Sequence, residues 1–134
     1  MAEKPIEYRG SCHCGSVKYS VLAPPTLRIV DCNCTVCTKK QNKHFIVPGS
    51  DFKLISGENV LKTYTFGTHN AQHTFCSMCG VQSFYTPRSD PSAKAIMPHC
   101  IDEPLPLKFY VDSFDGQNWE DAMKIKAKIV TAPK

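Results

Sequence analysis

The chain of 134 residues has no long apolar run; segments such as FIVP and AIMP last only a few positions. A membrane-spanning helix needs about 20 apolar residues, so none is expected. The opening MAEKPIEYRG has no apolar stretch either, and no secretory signal is expected there. Charge of one sign is also scarce. The formal balance is +4, and the local basic cluster is only Lys39, Lys40 and Lys43. Nucleic-acid binders usually show a pI above about 9 with clustering, whereas this chain sits near 8.6. Nucleic acid is therefore left open as a partner without being argued, and a membrane partner is not expected. No internal repeat and no low-complexity linker is found, which excludes solenoids and tandem domains. A single domain over residues 8–126 is expected, with tails at 1–7 and 127–134.

The pattern within that domain is that of short strands. SVKYSVL (16–22) sets Val17, Tyr19 and Val21 against Lys18 and Ser20, the period-two signature of a half-buried strand. LRIVDC (27–32), HFIV (44–47), DFKLI (51–55), VLKTYTF (60–66), HTFC (73–76), VQSFYT (81–86), KAIMPH (94–99) and LKFYV (107–111) continue the series. Turn-forming clusters such as APP, PGS and SGEN separate several of them. One helix is expected near the C-terminus. Asn118 is its candidate N-cap, and Trp119, Ala122, Met123 and Lys126 recur on one face. The pair Trp119 and Met123 reads as core packing. The fold class is all-β, with one or two short helices.

Cysteine is the residue present in excess, with eight in the chain. Thiols in that number either pair as disulfides in a secreted domain or hold metal in a reducing compartment. The intervals are too short to favour disulfides: residues i and i+2 of a strand lie about 6.5–7 Å apart at Cα, at the edge of disulfide reach. Cys76 and Cys79 form C-S-M-C followed by Gly80, a zinc-knuckle signal, because two intervening residues allow a turn with both sulfurs facing one ion. Cys12 and Cys14 form C-H-C; on an extended strand both would share a face. Two half-sites of two thiols make one tetrahedral zinc site from Cys12, Cys14, Cys76 and Cys79. The alternative pairs the knuckle with Cys32 and Cys34, and the spacing alone leaves it open.

The remaining group, Cys32, Cys34 and Cys37, has three sulfurs. Catalytic zinc sites typically have three protein ligands and one open position. Candidates to fill a fourth place are His44, His73, His99 and Cys100, although each also reads as an ordinary core or surface residue. His13 and His69 are not expected to contribute.

Taken together, Cys12-His13-Cys14-Gly15, Cys32-Asn33-Cys34-Thr35-Val36-Cys37 and Phe75-Cys76-Ser77-Met78-Cys79-Gly80 resemble the glutathione-dependent formaldehyde-activating enzyme family. Within it, DCNCTVCTKKQNKHFIVP, TYTFGTHNAQHTFC and CGVQSFYTPRSDP look most like centromere protein V and its relatives. The resemblance implies a β-tent fold and two zinc ions. One ion is structural, at Cys12, Cys14, Cys76 and Cys79; the second is at Cys32, Cys34 and Cys37 and is catalytic. It further implies a carbon–sulfur lyase-type activity on the adduct of glutathione with a small aldehyde, S-hydroxymethylglutathione. Glutathione is then substrate or cofactor, and Lys39, Lys40 and Lys43 are available to attract its carboxylates. The expected location is the cytoplasm, with the nucleus left open. Two other readings compete: a non-catalytic zinc module that binds protein or chromatin, and a redox role for the clustered thiols.

Overall fold

The computed structural model describes residues 4–121 and 123. Its strands are β1 (Ile6–Ser11), β2 (Lys18–Ala23), β3 (Thr26–Cys32), β4 (Phe45–Pro48), β5 (Phe52–Ser56), β6 (Leu61–Tyr64), β7 (His73–Cys76), β8 (Phe84–Tyr85), β9 (Ala93–Ile96), β10 (Ile101–Glu103) and β11 (Lys108–Phe114). One α-helix, α1 (Thr35–Lys40), interrupts the series, with short 3-10 turns elsewhere. The strands pair antiparallel in the orders β10-β1-β2-β5, β4-β9-β8 and β6-β7, while β11 runs parallel to β3. This is the expected all-β architecture.

Alternation through Val17 and β2 places Val17, Tyr19 and Val21 in the core and leaves Lys18 exposed. Tyr19 stacks on Phe52 at 5.7 Å between centroids and meets Phe84 edge-on at 5.4 Å. Tyr8, Leu27, Ile29, Phe45 and Ile96 complete the centre of this core. A close approach here depends on glycine. A Cβ on Gly10 would lie 2.3 Å from the Tyr19 hydroxyl oxygen and 2.7 Å from the Cys100 carbonyl oxygen.

Three elements exceed what the sequence pattern predicts. β1 begins at Ile6, and its Gly10 breaks the apolar alternation that would have marked it. β10 is three residues long, and α1 is a six-residue, largely polar turn without a readable period. At the C-terminal end, Asn118 directly precedes the first helical residue, Trp119. Asn118 closes a 3-10 turn over Gly116–Asn118, in which its backbone N–H donates to the Asp115 carbonyl at 3.2 Å. Residues 119–121 and 123 are helical; Ala122 and Lys126, and the rest of the expected helix, lie outside the described residues. No helix among the described residues is long and apolar enough to cross a membrane.

Candidate metal centres

The β1–β2 connection carries Cys12 and Cys14, while Cys76 ends β7 and Cys79 lies in the β7–β8 connection. Their four sulfurs all lie within 4.8 Å of one another. Cys12 and Cys14 are not on a strand, as the C-x-C spacing suggested. They sit in a tight turn closed by the Gly15 N–H donating to the Cys12 carbonyl at 3.1 Å. The turn takes Gly15 to φ +81°, and it brings the two sulfurs to 3.6 Å, closer than a strand face allows. The knuckle follows its expected form: the Gly80 N–H donates to the Cys76 carbonyl at 2.7 Å, and Gly80 has φ +78°. Cys14 and Cys76 are 3.7 Å apart at sulfur. Four sulfurs around a zinc at about 2.3 Å would stand roughly 3.8 Å from each other, so the spacing fits a tetrahedral ion and is far beyond a disulfide bond. Backbone amides already point inward: Val17 N–H donates to the Cys12 sulfur and Met78 N–H to the Cys76 sulfur. Burial pushes the Cys12 thiol up to about 11, while amides, first that of Cys14 and then that of Val81, bring Cys79 down to about 6. A shared cation removes this conflict by stabilising every thiolate.

The second group is built at the end of β3. Cys32 is the last residue of that strand, paired with Phe114 of β11. Cys34 caps α1, its sulfur accepting from the Cys37 N–H at 3.4 Å. The helical turn then sets Cys34 and Cys37 on one face. All three sulfurs lie within 4.8 Å. Asn33, between the first two, ties this loop to the chain leaving β11. It donates to the Asp115 carboxylate at 3.1 Å and accepts from the Gln117 N–H at 3.1 Å. The same lacing presses Gly116 against the cluster. The Cys32 thiol is lowered to about 6, first by the S–H donated from Cys37, then by the amides of Cys34 and Gly116, against the cost of burial. Cys37 is shifted far upward, first because it donates to Cys32 and then because it is buried. No histidine nitrogen or carboxylate among the described residues joins this group within the same distance.

These three thiols face a cavity of about 340 Å³, further lined by His44, Ile46, Phe66, His73, Tyr85, Arg88, Phe114 and Trp119. The His44 ring, almost fully buried, has Nδ1 2.8 Å from the Asn42 carbonyl. A carbonyl only accepts, so Nδ1 carries a proton there. The Tyr85 hydroxyl lies 3.3 Å from each ring nitrogen. Burial, then the charges at Cys37, Cys32 and Cys34, push the Tyr85 hydroxyl well above its ordinary value. His73 is sandwiched between Tyr85 at 4.8 Å and Phe66 at 5.7 Å, with ring planes 18° and 24° apart.

Of the four candidates for a fourth ligand, His44 and His73 line the cavity without joining the sulfur group, and neither His99 nor Cys100 lines it. His99 is exposed on a 3-10 turn, and the buried Cys100 thiol is directed to the Gln82 carbonyl at 3.8 Å. Trp119 and Met123, expected as core, stand on the cavity wall. The three lysines expected to attract an anion are absent from that wall among its described residues. Tyr85, Arg88 and Gly116 were not anticipated. In VQSFYT the alternation hides Tyr85, because Phe84 faces the main core while Tyr85 faces the cavity, leaving both buried.

The profile of the glutathione-dependent formaldehyde-activating enzyme family matches residues 7–116, a span that includes both sulfur groups and Gly116. Among solved structures, the chain is similar to that of a Rhodobacter sphaeroides protein, a Northeast Structural Genomics target. The two are 26% identical with a TM-score of 0.65, over 76% of this chain and 99% of that one. With the three cysteine motifs in family order and the match extending over most of the fold, the chain belongs to the glutathione-dependent formaldehyde-activating enzyme family.

Proposed function

We propose that the protein is a two-zinc carbon–sulfur lyase-type enzyme acting on the adduct of glutathione with formaldehyde or a similarly small aldehyde. Cys12, Cys14, Cys76 and Cys79 would hold a structural ion, and Cys32, Cys34 and Cys37 a second one. The carrying observation is the contrast between the two groups. Four sulfurs satisfy one another in one place, while three sulfurs line a cavity without a fourth protein ligand among the described residues. A zinc ion at the second group supplies stabilisation of a thiolate at neutral pH or polarisation of an aldehyde oxygen.

The reaction needs no oxidant. The thiol sulfur adds to the aldehyde carbon, the carbonyl electron pair moves to oxygen, and the proton lost from sulfur ends on that oxygen; the lyase direction is the reverse. The chain's own residues handle the proton and the water. Tyr85 and His44 set a hydroxyl and an imidazole side by side on the wall, with the hydroxyl oxygen 3.3 Å from each ring nitrogen. Phe66, Ile46 and Phe114 make the wall apolar, which strengthens polar interactions inside it.

The basic run after Cys37, which ends α1 with Lys39 and Lys40, supports placing this chain with centromere protein V-type members of the family. The test is magnetisation-exchange NMR of formaldehyde and glutathione with the zinc-loaded protein. Interconversion with S-hydroxymethylglutathione should exceed the spontaneous rate, and Cys37→Ser should abolish the excess. A zinc-loaded protein that neither binds glutathione nor changes that rate would return the chain to the non-catalytic binding module.

A further inference from the structure

We propose that Arg88 is the anion-recognition residue of the cavity, selecting thiols that carry a carboxylate. The proposal rests on the reading of the cavity as a thiol site.

Arg88 is the one Lys, Arg, Asp or Glu among the described residues lining the cavity. No carboxylate on the wall balances it. The ion pairs found among the described residues are Arg9 with Glu7 and Arg28 with Asp112, and neither involves Arg88. Its guanidinium carbon lies 3.9 Å from the centroid of the Trp119 ring, itself on the wall. Stacking on the indole uses a face of the guanidinium and leaves the N–H groups on its edge, the geometry that meets a carboxylate with two parallel hydrogen bonds. The indole also limits the rotamers of a long side chain, so less freedom is lost when an anion arrives.

The lysines next to the sulfur motif do not line this cavity. The Lys40 ammonium lies over the Phe75 ring at 5.5 Å, and Lys43 borders a smaller pocket on the other side of Cys32 and Cys37, where Asp31 also lines the wall. The cavity thus combines three thiols, an apolar wall and one fixed cation. A ligand that matches all three has a sulfur, an aliphatic body and a carboxylate. Formaldehyde has no anionic group, so Arg88 acts on the thiol partner alone.

The experiment is calorimetric titration of the zinc-loaded full chain with four thiols: glutathione, its diethyl ester (both carboxylates blocked), 3-mercaptopropionate and 2-mercaptoethanol. The wild-type protein should bind each carboxylate-bearing thiol more tightly than its ester or neutral counterpart. Arg88→Gln should weaken glutathione and 3-mercaptopropionate by about tenfold or more, the loss expected for a charge-assisted hydrogen bond, and change 2-mercaptoethanol little. Arg88→Lys should fall between, keeping charge but losing the fork. Equal weakening of charged and neutral thiols by Arg88→Gln, or no weakening of glutathione, overturns the role of Arg88 while leaving the thiol site standing. If none of the four thiols binds the wild-type protein, the thiol-site reading falls and Arg88 with it. Arg88 is exposed, so its melting temperature should match wild type in both variants.

Discussion

Gly116 lies against Cys32 so closely that a Cβ at Gly116 would stand 2.4 Å from the Cys32 sulfur and 2.8 Å from the Cys34 Cβ. The contact joins two strand ends that are far apart in the chain and adjacent only because β11 runs parallel to β3. It leaves no room for a side chain between the backbone after β11 and the three-thiol group. Gly116→Ala should therefore displace Cys32 and weaken the second zinc by roughly tenfold or more, a cost typical of disturbed ligand support. The four-thiol site lies elsewhere and should keep its ion. Zinc-competition titration with a chelator measures both affinities, and equal loss at both sites would contradict the local account.

The two sulfur groups should differ in what they hold together. Cys79→Ser opens the site that clips the β1–β2 turn to the knuckle, and a structural zinc contributes on the order of 10 kcal/mol to folding. That variant should lose cooperative unfolding altogether. Cys37→Ser should bind one zinc fewer, lose turnover and still unfold cooperatively. Circular dichroism melts of the two variants separate the outcomes. If Cys37→Ser melts as early as Cys79→Ser, the second group is structural.

His73 gives the fold a pH dependence. Burial, and secondarily the charge of Lys40, pull it down to about 4 in the folded protein, against about 6.5 in an unfolded chain. Between those values the unfolded state binds more protons. The contribution is therefore complete above about pH 6.5 and is lost as pH falls toward 4. Its full size is on the order of 3 kcal/mol for a side chain 2% exposed. Urea midpoints at pH 7.5 and 5 should fall further apart in wild type than in His73→Phe, which keeps the ring stack without the titration. Identical pH slopes would remove His73 from the explanation.

Gly10 sets a separate limit on the core. A methyl at this position would collide with the Tyr19 ring and the Cys100 carbonyl, neither of which is a flexible chain end. Gly10→Ala should cost about 2–3 kcal/mol, at the upper end for overpacking, read as a lower urea midpoint at unchanged zinc content. A midpoint within error of wild type would show that the sheet yields easily there.

Tyr85→Phe removes one hydroxyl from the cavity wall and keeps the ring that stacks on His73. Turnover should fall at least tenfold, in the range typical of lost proton-transfer catalysis, while zinc content stays at the wild-type value. An unchanged rate would leave Tyr85 as packing only.

The parts of this molecule that could be read from the sequence are those governed by local spacing. Val17, Tyr19 and Val21 announce a strand because side chains alternate, and C-S-M-C-Gly80 announces a knuckle because a short turn with a left-handed glycine requires it. What stayed hidden depends on contacts between distant segments. The parallel pairing of β11 with β3 brings Gly116 to Cys32 across 84 positions, and nothing in FDGQN marks that meeting. Arg88 reads as a loop cation until Trp119 is placed over it. Tyr85 reads as one more strand aromatic until β8 proves buried on both faces. The turn at Cys12–Cys14 failed as a strand for a local reason: Gly15 takes φ +81°, which allows the chain to fold back.

The central claim is that Cys32, Cys34 and Cys37 hold an ion whose fourth position faces the cavity. Crystal diffraction collected at the zinc absorption edge tests it most directly. The account predicts two anomalous peaks per chain. One is surrounded by Cys12, Cys14, Cys76 and Cys79; the other is bound by Cys32, Cys34 and Cys37, with a water or a small molecule on the cavity side. A single peak, or a second ion closed by a fourth protein side chain, would contradict it.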